Sequence, residues 1–184
     1  MEKEFGEYIE LSDSLRKGYK GSLLPITIGW SLILKEIVEE IPVLFEVIYS
    51  KYSGTYYEIK NQRLMDFVPG YLLIHILEFK KNFEDLESIL NSKNIKEKFL
   101  PILRNYSSDF YALNVNTNEV FLIFHDDDEI DLIHKTPADF LLTLKKNYEE
   151  HVYFLDEDGF LDYDEDLEFE VGNKYNQDID FWNE

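Results

Sequence analysis

Two stretches hold most of the residues that could do chemistry. FLDEDGFLDYDEDLEFEV (154–171) carries nine acidic residues, with Phe154, Leu155, Phe160, Leu161, Tyr163, Leu167, Phe169 and Val171 threaded among them. His125-Asp126-Asp127-Asp128-Glu129 sets a histidine beside four acids. A calcium loop of the EF-hand type needs oxygen ligands at alternate positions, glycine at the sixth and glutamate at the twelfth. Placing Gly159 sixth puts Phe154 first, which has no ligand atom. Starting at Asp162 puts Leu167 sixth and Asn173 twelfth. Both registers fail. His125–Glu129 has donors for a hard metal, with His134 further on, but successive side chains diverge, and a solvated acidic loop is the better reading. Two carboxylates can hydrolyse a glycoside, yet with 38 acidic residues some suitable pair arises by chance. There is no G-x-S-x-G, no glycine-rich phosphate loop, and no metalloprotease spacing among His75, His125, His134 and His151. His75 lies in an apolar run and reads as a core histidine. No catalytic residue, cofactor or resident metal is expected.

Charge points to binding instead. The chain has 184 residues and a net charge of −20. Residues 1–104 hold 16 acidic and 14 basic residues, and residues 105–184 hold 22 and 4, so a net −18 sits in the last 80. Such a field repels nucleic acid and anionic membranes and attracts basic proteins. The densest basic run, Lys93-Asn94-Ile95-Lys96-Glu97-Lys98, reads as an exposed turn. Asp126, Asp127, Asp128, Glu129, Asp156, Asp158, Asp162, Asp164 and Asp166 are the expected contacts with a protein partner, and Tyr163, Phe169 and Trp182 the expected aromatic anchors. The chain lacks cysteine, MEKEFGEYIELSD has no basic-then-apolar signal pattern, and GSLLPITIGWSLIL is too short for a membrane span and is broken by Pro25 and Gly29. A cytoplasmic location is expected, where the sequon Asn105-Tyr106-Ser107 has no meaning.

The elements that must position these residues follow from hydrophobic period and turn chemistry. Residues 1–19 suggest a short helix of mixed quality. SLILKEIVEEIPVLFEVIYSK predicts helices over 31–40 and 42–52, divided by Pro42 and ended by Ser53-Gly54. TYYEI (55–59) reads as a strand, and DFVPGYLLIHILE (66–78) as a Pro-Gly turn followed by a buried strand. Phe79, Phe83, Leu86 and Leu90 mark one face of a helix over 79–91. FLPIL (99–103), DFYALNV (109–115) and EVFLIF (119–124) form a meander with a hairpin at Asn116-Thr117-Asn118. Thr136 as N-cap, Pro137 and Asp139 open a last helix, with Phe140, Leu141, Leu144 and Tyr148 as its apolar stripe. HVYFL (151–155) reads as a closing strand, and the alternation of Leu167, Phe169 and Val171 as an acidic edge strand. The fold class is α+β: a single domain with N-terminal helices, a mainly antiparallel twisted sheet, and a C-terminal helix packed on it.

The order of these motifs resembles the SUKH superfamily, which includes fungal cell-wall-synthesis regulators and many bacterial immunity proteins. The resemblance is carried by Ile41-Pro42-Val43-Leu44-Phe45 through Tyr52-Ser53-Gly54-Thr55, by Phe67-Val68-Pro69-Gly70-Tyr71-Leu72-Leu73, by Phe99-Leu100-Pro101-Ile102 through Asp109-Phe110-Tyr111-Ala112-Leu113, and by Thr136-Pro137-Ala138-Asp139-Phe140-Leu141. Ser107-Ser108 stand where glycines usually precede the aspartate, and Asn114 and Asn118 where Asp and Gly are common. The resemblance covers roughly 41–150, leaving residues 1–30 and an acidic extension, 156–184, outside it. It implies a non-enzymatic binding domain within 1–184, an immunity protein that neutralises a cognate toxin, often a nuclease or deaminase. A regulatory or scaffold protein of the same fold, holding an endogenous partner, is the alternative. The binding residues vary between members, so none is carried over.

Overall fold

The computed structural model describes residues 1–56 and 58–183. Helix α1 (Glu2–Leu15) forms because Phe5, Tyr8, Ile9 and Ser12 recur at helical spacing and are all buried. Two short helices follow, α2 (Tyr19–Ser22) and α3 (Trp30–Lys35). The helix expected over 31–40 thus ends early. Pro42 disfavours helical geometry at Ile41 and is itself extended (φ −62°, ψ 142°), serving as N-cap of α4 (Val43–Tyr49) instead of entering its first turn. The strand expected over 55–59 reduces to a single parallel bridge between Thr55 and Ile74; Tyr57 lies outside the described residues. Gly54 explains the close approach there. Its φ is +89°, and a Cβ would overlap the Ile74 carbonyl.

The main sheet has six antiparallel strands in sequence order: β1 (Asp66–Val68), β2 (Tyr71–Leu73), β3 (Phe99–Arg104), β4 (Phe110–Asn114), β5 (Val120–Ile123) and β6 (Asp131–His134). Pro69-Gly70 forms the β1–β2 turn, with Gly70 at φ +76°. Pro101, which has no N–H to give, coincides with a register slip between Pro101 and Leu103. Ser108 and Asn118 take positive φ (72° and 60°), conformations that glycine adopts most readily. The Asn114 side chain accepts the N–H groups of Asn116 and Thr117 at 2.9 and 3.2 Å, closing the β4–β5 hairpin.

Helices cover both faces. On one, α5 (Phe79–Ser92) lays Phe79, Phe83, Leu86 and Leu90 against β3, and Phe79 meets Phe45 and Tyr49 edge-on at 5.6 and 6.1 Å. On the other, α6 (Pro137–Glu149) packs against α1 and the sheet. Its N-cap is as expected, with the Asp139 N–H donating to Thr136 Oγ1 at 3.1 Å. Successive β4 residues divide between the faces. Phe110 lies under Arg104, which reaches Asn82 and Asp85 of α5, whereas Tyr111 meets Phe140 of α6.

The C-terminal region departs most from expectation. HVYFL does supply a strand, β7 (Tyr153–Leu155), but it pairs with β8 (Leu161–Tyr163) in a separate two-stranded sheet. Helix α6 is not the last. Leu167, Phe169 and Val171 belong to α7 (Glu165–Tyr175), not to an edge strand. Asp164 caps α7 by accepting the Leu167 N–H at 3.1 Å, and Glu165, Asp166 and Glu168 sit at its positive end with Lys174 in the last turn. These local helix signals outweigh a short apolar alternation. Among the described residues no helix is long and apolar enough to cross a membrane.

Candidate functional site

The candidate acids form two groups, exposed apart from the half-buried Asp156 and Asp162. Asp126, Asp127, Asp128 and Glu129 occupy the β5–β6 connection, all exposed. Asp156, Asp158, Asp162, Asp164 and Asp166 run through the β7–β8 hairpin into the start of α7. Three of the second group have internal tasks, Asp162 by accepting the Tyr163 N–H at 2.9 Å. Asp156 accepts the N–H groups of Asp158 and Phe160 at 2.9 and 2.8 Å, folding the turn in which Gly159 takes φ +82°, and Asp164 is the α7 cap. Asp158 and Asp166 stand exposed.

Of the acids that follow it, His125 approaches Asp126, at 3.9 Å. Its ring Nδ1 lies 2.8 Å from Asp109 Oδ1, and its backbone N–H donates to the same oxygen at 2.9 Å. The other Asp109 oxygen accepts from Asn105 Nδ2 at 2.7 Å. Burial pushes the Asp109 carboxyl up, but the donors from His125 and Asn105 outweigh it and hold the carboxyl below its ordinary range. The Asp109 hydrogen bond raises His125. Among the described residues, Asp109, His125 and Asp126 bring ligand atoms within 4.8 Å of one another, yet Asp109 is committed to clipping the start of β4 to the end of β5. His134 lies elsewhere, buried on β6 with its Nδ1 2.8 Å from Asn176 Oδ1, and burial pushes it down to about 4. His75 is the core histidine expected. Its Nδ1 accepts the Leu77 N–H at 3.2 Å, its ring stacks on Tyr56 at 3.7 Å, and burial lowers it to about 4.

Chain neighbours of both groups, but none of the nine candidate acids, line one cavity of about 280 Å³. Its floor is the α6-side face of the main sheet, where Tyr71 and Tyr111 meet edge-on at 4.9 Å, with Leu122 beside them. Phe124, the residue before the His125 clip, and Tyr163, which ends β8, are two of its walls. Glu165, Glu168 and Phe169 of α7 complete it, with Phe181 and Trp182 from a single 3-10 turn, Asp180–Asn183. Burial, and then the neighbouring Glu165 charge, raise the Glu168 carboxyl to about 7. Burial is also the first cause raising the hydroxyls of Tyr71, Tyr111, Tyr153 and Tyr163, each of which also feels the Glu168 charge.

Of the three expected anchors, only Tyr163 faces outward, at 38% exposure. Trp182 is 8% exposed, and its Nε1 donates to the Ile133 carbonyl of β6 at 2.7 Å. Phe169 stacks on Phe181 at 5.9 Å and meets Trp182 edge-on at 5.8 Å. Both serve the protein's own core, because closing the β6 edge buries them. Glu168, Tyr71 and Tyr111 are the residues that sequence reasoning missed. The signal for Glu168 was the cap and acidic first turn of α7: read with helical period, Glu165, Glu168, Phe169 and Gly172 share one face. No protein-family model matches the chain, and no curated protein matches it significantly.

Proposed function

We propose that the protein is a binding domain of the immunity type, which neutralises a basic toxin such as a nuclease by covering its active groove, and that it performs no catalysis itself. The observation carrying this reading is the clustering of the candidate acids in two segments, the β5–β6 connection and the β7–β8 hairpin running into α7, within a region of net charge −18. A nuclease must present positive charge to phosphate, so a clustered acidic surface complements its groove and accelerates encounter. The resemblance of residues 41–150 to the SUKH superfamily supports the same class.

The test replaces acids that have no structural task. Asp128→Lys, Asp158→Lys and Asp166→Lys together leave the His125 clip, the Asp156 turn and the Asp164 cap intact. With the neighbouring gene's product as partner, the association rate at low salt should fall about tenfold or more, and its salt dependence should flatten. An unchanged association rate would overturn the assignment of this surface.

A further inference from the structure

The cavity beneath α7 has a composition that specifies a ligand. Among the described residues its lining contains two carboxylates and seven aromatic side chains, with no lysine, arginine or histidine. Among the described residues, burial and the like charge of Glu165 are the causes that raise the Glu168 carboxyl, and no hydrogen bond or cation lowers it. A carboxylate held this way carries a desolvation cost that a cation would relieve. The dipole of α7 offers little competition, because Asp164, Glu165 and Asp166 already occupy its positive end. Tyr71, Tyr111 and Tyr163 line the same space, and aromatic rings are groups that attract a cation beside a counter-ion. At about 280 Å³ the space lies just under the ~300–1,000 Å³ of drug-sized sites, and suits the head of a side chain or a small amine.

We propose that this cavity is a binding site for an organic ammonium or guanidinium group, with Glu168 as its counter-ion and Tyr71, Tyr111 and Tyr163 as its aromatic wall. The inference does not rest on the toxin reading, since a free cation suffices to occupy the site. It also deepens that reading, because a lysine or arginine of a basic partner carries the same chemistry. Occupancy follows pH. Glu168 faces Glu165 on its own helix, Tyr71 and Tyr111 from the main sheet, and Tyr153 and Tyr163 from the small sheet. The tyrosines stay neutral, so the carboxyl that titrates near 7 decides the charge, and affinity falls as pH drops below that value.

The test is nuclear magnetic resonance titration of the full chain with tetramethylammonium and guanidinium chloride, and with the neutral isosteres tert-butanol and urea, at pH 8 and pH 5.5. The expected result is saturable shifts at Tyr71, Tyr111, Tyr163 and Glu168 with the cations only, weakened about tenfold or more at pH 5.5. Glu168→Gln should abolish the pH dependence and weaken binding, whereas Asp158→Asn should leave it unchanged. Equal shifts from the neutral isosteres, shifts confined to the exposed acids, or undiminished cation binding by a folded Glu168→Gln variant would each overturn the proposal. Blocked lysine and arginine peptides identify the source. Tighter binding than by the free cations points to a protein side chain, and weaker binding to a small amine. Because no partner protein is needed, failure here and failure of the toxin reading are separately visible.

Discussion

At the scale of single residues, Glu168 is a carboxyl held against its ordinary ionisation by burial. The folded chain keeps its proton up to about pH 7, whereas the ordinary value is 4.5. Between these values the native state binds more protons than the unfolded state, so this carboxyl lowers stability as pH rises through the window. Glu168→Gln should match the wild type below pH 4.5 and exceed it above pH 7, by on the order of 2 kcal/mol after solvent screening. Urea denaturation across pH 4–8 measures the gap. Buried His75 and His134, both held near 4, act with the opposite sign: the unfolded chain binds their protons first, and stability is lost as pH falls from about 6.5 towards 4. Their effect is common to both proteins and cancels in the difference. A gap that does not widen with pH would show that Glu168 is not held in this environment.

At the scale of elements, the termini finish the sheet. The β1 edge is covered by α1: Tyr8 donates to the Phe67 carbonyl, and Arg16 Nη1 to the Asp66 carbonyl at 2.7 Å. Arg16 is buried, its guanidinium 4.1 Å from the Tyr19 ring centre and bonded to Ser12 Oγ at 2.7 Å. The β6 edge is covered by α7 and the last turn, through His134–Asn176 and Trp182–Ile133. Unpaired edges invite association with other chains, and both are occupied here. Gly172 makes the second cover possible, since a Cβ there would overlap the Trp182 ring. Gly172→Ala should therefore lower stability by about 1–3 kcal/mol through overpacking. A fall in the urea midpoint, with faster amide exchange at Ile133 and His134, is the expected result. In a surface helix without such packing the same change would stabilise.

At the scale of the whole molecule, net charge of −20 on a chain of 184 residues opposes compactness. The ion pairs that offset it are mostly exposed, such as Lys135–Asp178 and Lys174–Glu150 at 3.1 and 2.9 Å, and each contributes little. Raising salt from about 10 to 200 mM screens long-range repulsion more than it weakens these pairs. The melting temperature should rise by a few degrees, and a fall would mean that local pairs dominate. The same field, concentrated beyond residue 104, is what a basic partner would meet first.

The sequence alone determined the elements whose signals are local. The β3–β4–β5 meander follows from β-rich runs split by Ser107-Ser108 and Asn116-Thr117-Asn118, and α6 from Thr136-Pro137 and its stripe. The α5 face follows from the spacing of Phe79, Phe83, Leu86 and Leu90. The acidic candidates were legible as exposed charge, because acids rarely find enough partners to be buried. Tertiary structure decided what depends on distant residues. Leu167, Phe169 and Val171 alternate along the chain; the Asp164 cap is a local signal against a strand, and the Trp182 ring on Gly172 is the tertiary contact that seats the helix. Trp182 could anchor a partner or close an edge, and only the nearness of the Ile133 carbonyl distinguishes the two. Glu168 is one acid among nine in its stretch. The α7 cap and helical period mark the face it lies on, but what sets it apart from the other acids is tertiary: a cavity walled by tyrosines from three strands.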